Sequence, residues 1–388
     1  MSENKELTRR KFVKLTGTAA GGLLLTSPGA VLAGSTKEAN TQSKGYAAID
    51  TSGKLVPWKF ERRPVGDNDV LIDIKYASIC HSDIHHMKGH WGPVKYPVVP
   101  GHEIVGVVAA VGKKVTKFKI GDRAGVGCMV DGGRECTEHH NHDEEQYCND
   151  LVFTYGFPDK SSPTGISQGG YSNNIVVRDH FAVHIPDNIS FQDAAPLLCA
   201  GITTYSPLMK MHLKKGMKVG VAGIGGLGHM AIKLAVSMGA EVYGFTTSAA
   251  KVKDILAFGA KEAIVVDDVS KLAAHKGKLD YMISTIPYRY DLTSYLSVVK
   301  PYGTFTQVGM PENFELSVNN FMLSLMRVNY NASLIGGIKE TQEMVNYCAS
   351  HNVLPQIQII KAEQINEAWE QVIDKQARYR YVIDAATF

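Results

Sequence analysis

The sequence carries no dense set of cysteines. Its six, Cys80, Cys128, Cys136, Cys148, Cys199 and Cys348, are spread through 388 residues, and no disulfide scaffold follows from them. After the first fifteen residues no Lys/Arg-rich block occurs, and the net charge is only +3, so there is no electrostatic footprint for nucleic acid. The apolar stretch from Leu15 to Ala33 is interrupted by Gly17, Gly21, Gly22, Pro28 and Gly29, which makes it a poor permanent span. Internal repeats are missing too. What is present is ordinary globular chemistry: 44% hydrophobic and 20% charged residues, in a chain long enough for two domains.

The first forty residues read separately from the rest. Thr8-Arg9-Arg10-Lys11-Phe12-Val13-Lys14 is followed by the mild apolar stretch and a Val-Leu-Ala ending. Basic, apolar and small-residue regions in that order resemble a twin-arginine signal. The expectation is a signal peptide over 1–33, a polar linker over 34–43, handling by the twin-arginine export machinery, a periplasmic address and no stable membrane span after processing. A cytoplasmic fraction is the alternative.

From Lys44 to about Pro186 short strands alternate with Gly/Pro turns. Val70 to Ala77 alternates apolar and polar residues as a half-buried strand does, and Ile104 to Val111 is a continuous apolar run. The pattern then changes. Strand-like segments at Lys218–Gly223, Glu241–Phe245, Ile264–Val266, Tyr281–Ile286 and Thr304–Val308 alternate with helical ones. Repeated β-α-β implies a doubly wound parallel sheet. A helix is expected around Thr341 to His351 and a last strand at Tyr379 to Ile383, which suits the first domain better. The fold class is therefore α/β, with a Rossmann-type domain (187–337) inserted into a β-rich domain (44–186 and 338–388).

Gly223, Gly225, Gly226, Leu227 and Gly228 lie in a G-x-G-x-x-G loop between a strand and a helix, the context in which such glycines let backbone approach a pyrophosphate. The next strand ends Phe245-Thr246-Thr247-Ser248-Ala249-Ala250-Lys251, with no acid to hold a ribose 2′-hydroxyl. Hydroxyls on Thr246, Thr247 and Ser248 and the Lys251 ammonium suit a 2′-phosphate, so the cofactor expected is NADP(H).

Cys80, His102, Glu103 and Cys199 stand out; the two thiolates and the imidazole make a three-ligand set that leaves a fourth tetrahedral zinc position for water or substrate. They lie in Cys-His-Ser-Asp-Ile-His, Pro-Gly-His-Glu-Ile-Val-Gly and Pro-Leu-Leu-Cys-Ala-Gly-Ile-Thr-Thr-Tyr. With these motifs in order, the chain from Lys44 onward resembles zinc-containing medium-chain dehydrogenases, specifically the cinnamyl alcohol dehydrogenase-like aldehyde reductases, whose β-rich domain is GroES-like. The resemblance implies zinc on Cys80, His102 and Cys199, with Glu103 as an alternate ligand and Asp83 orienting His102. It gives Ser82 and His85 to a proton relay, His81 to the cofactor phosphates, and Thr203, Thr285, Ile286, Val308 and Gly309 to the rest of the cofactor. It also implies a homodimer.

The family's second, structural zinc has a degenerate counterpart here. Gly133 stands where the first cysteine belongs, Cys136 matches the second, His139 replaces the third, and Cys148 is the fourth after one inserted residue. A zinc site rebuilt from Cys136, Cys148, His139 or His140, and His142, a solvated loop, and a Cys136–Cys148 disulfide are all open readings. The function expected is reversible reduction of aromatic or medium-chain aldehydes to primary alcohols, with Trp91 and Tyr96 as pocket candidates. The alternatives are a polyol or secondary-alcohol dehydrogenase of the same fold, and an exported metal- or nucleotide-binding protein without turnover.

Overall fold

The computed structural model describes residues 39–132 and 142–388. The signal-peptide expectation (1–33) and the Cys136 and His139 positions lie outside the described residues. Among the described residues no helix is long and apolar enough to cross a membrane.

A seven-stranded sheet forms the first layer. Its strands run in the order Ile357–Ile360, Arg380–Asp384, Asp69–Ser78, Ile104–Val111, Arg123–Val126 and Ala182–His184, and Asn174–Arg178 also pairs with Asp69–Ser78. The alternation read at 70–77 has its physical basis here: Val70, Ile72 and Ile74 are buried while Asp73 and Lys75 face solvent. The C-terminal strand Arg380–Asp384 pairs antiparallel with Asp69–Ser78, with Val382 opposite Ser78. Chain ends some 300 residues apart thus meet in one sheet. Residues 41–43, expected as linker, instead open the strand Thr41–Ala48, which pairs antiparallel with Leu55–Arg62. Polar Ser43 can be buried there because its hydroxyl donates to Asn174 Oδ1 at 2.6 Å.

The second sheet is wholly parallel. Its order is Glu262–Val265, Glu241–Thr246, Lys218–Ala222, Leu279–Ser284, Val299–Gln307 and Asn329–Ala332. The first strand in sequence, Lys218–Ala222, lies beside the fourth, Leu279–Ser284. Strand order reverses between them, and a crevice opens at their carboxyl ends, where ligands bind in such sheets. The edge strand Asn329–Ala332 escapes sequence reading because its Asn-Tyr-Asn-Ala carries no apolar pattern and is exposed throughout. One continuous core joins both sheets, from Val70 and Ile72 through Leu197 and Leu198 to Val219 and Ile283.

Candidate active site

The glycine loop sits at the switch point. Gly223 takes φ +81°, a left-handed conformation that favours glycine. Its carbonyl accepts the Thr285 hydroxyl at 2.5 Å. A Cβ at Gly225 would meet nothing within 4 Å, which leaves that side of the loop open to a ligand. The helix Gly226–Ser237 starts from it and directs its N-terminal dipole at the same space. Gly228 does not line the cavity. It closes the turn instead, since a Cβ there would stand 2.1 Å from the Gly223 carbonyl oxygen.

A cavity of about 1150 Å³ runs from this loop to the zinc-ligand motifs. It gathers nearly every residue singled out from sequence: Cys80, His81, Ser82, His85, His102, Cys199 and Thr203 at one end. Gly223–Leu227, Thr246–Ser248, Lys251, Thr285, Ile286, Val308 and Gly309 form the other. The latter come from carboxyl ends of four different parallel strands. Thr246 is spent on the loop itself, its hydroxyl accepting the Ser248 N–H. Thr203 presents a buried hydroxyl with no hydrogen-bond partner.

At the first end, one ligand atom from each of Cys80, His102, Glu103 and Cys199 lies within 4.8 Å of all the others, and all four residues are buried. The two sulfurs are 4.0 Å apart. Two thiolates on one tetrahedral zinc, with bonds of about 2.3 Å, would stand about 3.8 Å apart, so the spacing fits. Glu103 Oε2 is buried with no partner, a carboxylate oxygen left for a cation. His102 Nδ1–H donates to Asp83 Oδ1 at 2.9 Å, which leaves Nε2 as the free ring nitrogen. Asp83 is itself fully buried and accepts from the Cys80 N–H (2.9 Å), the Tyr171 hydroxyl (2.9 Å) and the Gly101 N–H (3.3 Å). It does not reach the cavity, so it is a positioning residue.

Charge is shared unevenly across the ligand set: hydrogen bonds with Cys128 and Cys80, together with burial, push the Cys199 thiol well above its usual range. The hydrogen bond from Cys199 holds the Cys80 thiol well below its usual range despite burial, and His102 and Arg380 assist. Burial pushes His85 down to about 4, with His81 and His90 adding to it. At the cofactor end, burial lowers Lys251 to about 8, and Arg378 and Lys375 act the same way while Asp254 opposes them. Its Nζ donates to the Ile224 carbonyl at 2.7 Å, so the ammonium is pinned to the glycine loop.

The expectation for Tyr96 does not hold. Its hydroxyl donates to the Met87 carbonyl at 2.7 Å and its partly buried ring packs against a core cluster, outside the cavity. Sequence reading missed Tyr155, Phe157, Arg378 and Arg380, all of which line the cavity. No local motif marks them, because they arrive from loops and from the returning C-terminal segment. Cys148 is buried and His142 is exposed, while Cys136, His139 and His140 lie outside the described residues.

Two family profiles match the chain: the alcohol dehydrogenase GroES-like domain over residues 66–187 and the zinc-binding dehydrogenase over 226–350. NADP-dependent alcohol dehydrogenase C 1 of Mycolicibacterium smegmatis is 47% identical over 345 residues, 88% of this chain and 97% of that one. The chain belongs to the zinc-containing medium-chain alcohol dehydrogenases. Within them it sits with the cinnamyl alcohol dehydrogenase-like branch. A structure of cinnamyl alcohol dehydrogenase from Sorghum bicolor is 38% identical with a TM-score of 0.86, covering 89% of this chain and 98% of its own. The structure of CAD from Helicobacter pylori complexed with NADP(H) is 44% identical with a TM-score of 0.85, covering 90% of this chain and 99% of its own. The likeness thus spans about nine-tenths of this chain.

Proposed function

We propose that this dehydrogenase interconverts aldehydes and primary alcohols with NADP(H), and that aromatic or other bulky apolar aldehydes are its substrates. The observation that carries the reading is the single cavity joining the Cys80/His102/Cys199 set to the Gly223–Leu227 loop. Cys80, His102 and Cys199 would hold the zinc, with Glu103 in reserve. A bound zinc polarises the carbonyl, and the cofactor supplies the hydride.

The chain's own residues do the rest. Asp83 fixes the His102 tautomer and ring plane. Ser82 stands in the first turn of the helix His81–Met87, beside Cys80, and would hold the proton at the substrate oxygen. His85, one turn on and facing the same cavity, would carry that proton outward. Burial keeps its imidazole neutral at ordinary pH, so it would pass the proton on rather than hold it. Lys251, with Arg378 and Lys375 beside it, would take the 2′-phosphate together with Thr247 and Ser248.

The substrate class is supported by the aromatic wall next to the ligand set. Tyr155 packs 5.6 Å from the His102 ring and 5.3 Å from His86, and Phe157 stacks on His86 at 5.8 Å. Trp91 and Phe314 face each other at 5.8 Å across the mouth. The exposed edge Asn329–Ala332, with exposed Phe321 and Leu325 nearby, supports a homodimer. The Arg9-Arg10 segment supports export by the twin-arginine machinery to the periplasm.

The test is NADPH oxidation over an aldehyde panel, with fractionated periplasm and cytoplasm as enzyme sources. Aromatic aldehydes should be turned over, and Cys80→Ser should abolish it. Strong polyol turnover with negligible aldehyde reduction would overturn the substrate reading.

A further inference from the structure

At the mouth of the cavity three metal-binding side chains converge that the catalytic ligand set does not use. His85 lies in the last turn of the helix His81–Met87, and the chain then turns so that the His90 N–H donates to the His85 carbonyl at 3.0 Å. The turn places the two imidazoles Nδ1 to Nδ1, 2.9 Å apart. Glu312, from the segment after the strand Val299–Gln307, brings Oε1 to 3.5 Å from His90 Nδ1. One ligand atom from each of the three lies within 4.8 Å of the others.

We propose that His85, His90 and Glu312 form a second divalent-metal site, and that a cation bound there inhibits the enzyme by strapping the cavity mouth. In the present pair one Nδ1–H donates to the other Nδ1. With a cation the donor ring shifts its proton to Nε2, and both Nδ1 lone pairs face the metal. Two imidazoles and one carboxylate select Zn²⁺, Co²⁺, Ni²⁺ or Cu²⁺ over Mg²⁺ and Ca²⁺, which want all-oxygen shells. Water completes the coordination, since His90 and Glu312 are solvent-accessible. Glu312 lies between two strands of the parallel sheet, Val299–Gln307 and Asn329–Ala332, and the histidines belong to the zinc-ligand side, so the ion ties the two walls of the cleft together. It also occupies the ring nitrogen of His85. The inhibitory half of the inference rests on the relay assigned to His85 under the proposed function, whereas the binding half does not.

The two halves are separable in one experiment on holoenzyme whose catalytic site is already loaded. Zn²⁺ or Co²⁺ is titrated calorimetrically into wild type, His90→Gln and Glu312→Gln, and aldehyde reduction is followed in parallel. The expected result is one additional ion in the wild type, bound at least about ten-fold more weakly by either variant. Added Zn²⁺ should slow wild-type turnover, while Glu312→Gln keeps basal turnover and resists the inhibition. Equal affinity in all three proteins would overturn the site. An ion that binds wild type but neither variant, and leaves turnover unchanged, would uphold the site and overturn the relay reading of His85.

Discussion

Arg380 pairs with Glu103 in a fully buried ion pair, and the same guanidinium lies against the glycine loop, with Nη1 2.5 Å from where a Cβ on Gly226 would stand. One side chain from the last strand thus touches the metal-ligand set and the cofactor loop together. Glu103 alone would be costly: burial pushes its carboxyl up, and Arg380 opposes that. Removing one partner of such a pair typically costs about 3–5 kcal/mol, because the other charge stays buried. Arg380→Met should lower stability by that order in denaturant unfolding. The double variant Arg380→Met/Glu103→Gln should recover a large part of it.

Asp83→Asn keeps the shape but disturbs the tautomer that Asp83 imposes on His102. Loss of such an outer partner typically weakens metal binding about 10- to 100-fold. Competition with a chelator should show zinc leaving the variant that much more readily, with the fold intact by circular dichroism.

Lys251→Ala should raise KM for NADPH by about ten- to a hundredfold, the worth of one charge-assisted hydrogen bond, and leave NADH nearly unaffected. The pH sign follows from burial, which lowers Lys251 to about 8. The cation that meets the phosphate is present below that value and lost above it. NADPH affinity in the wild type should therefore fall as pH rises past about 8, and the variant should lose that step.

His229 is fully buried with both ring nitrogens engaged. Nδ1–H donates to the Gly225 carbonyl at 3.2 Å, and Nε2 accepts the Gln356 N–H at 3.2 Å. Burial, with help from Lys233 and Arg380, lowers it to about 3 from the ordinary 6.5. Between those values the unfolded chain binds a proton that the native state refuses, so stability is full above 6.5 and drains away as pH falls toward 3. At about 1.4 kcal/mol per unit this window is worth about 5 kcal/mol. The Tm of wild type should drop across pH 6 to 4 more steeply than that of His229→Gln; parallel curves would refute the assignment.

Local chemistry determined much of this protein. Gly223 to Gly228 between a strand and a helix, the missing acid after Phe245, and the Cys80, His102 and Cys199 motifs each carry their meaning in a few neighbouring residues. Alternating burial likewise makes Asp69–Ser78 a strand from any starting knowledge.

Other features had no local signature. Thr41–Ser43 looked like linker because a polar strand becomes credible only once Asn174 is there to satisfy Ser43. Tyr96 looked like a pocket residue, but the Met87 carbonyl turns its hydroxyl inward. Arg380 and Arg378 reach the site only because the C-terminal strand pairs back onto Asp69–Ser78, bringing charges within bonding distance of residues 277 and 124 positions away. Sequence patterns determined which chemistries the chain carries, since loops and ligand motifs are contiguous. Tertiary structure alone decided which charges oppose one another in the buried site, because that depends on strand pairing across the whole chain.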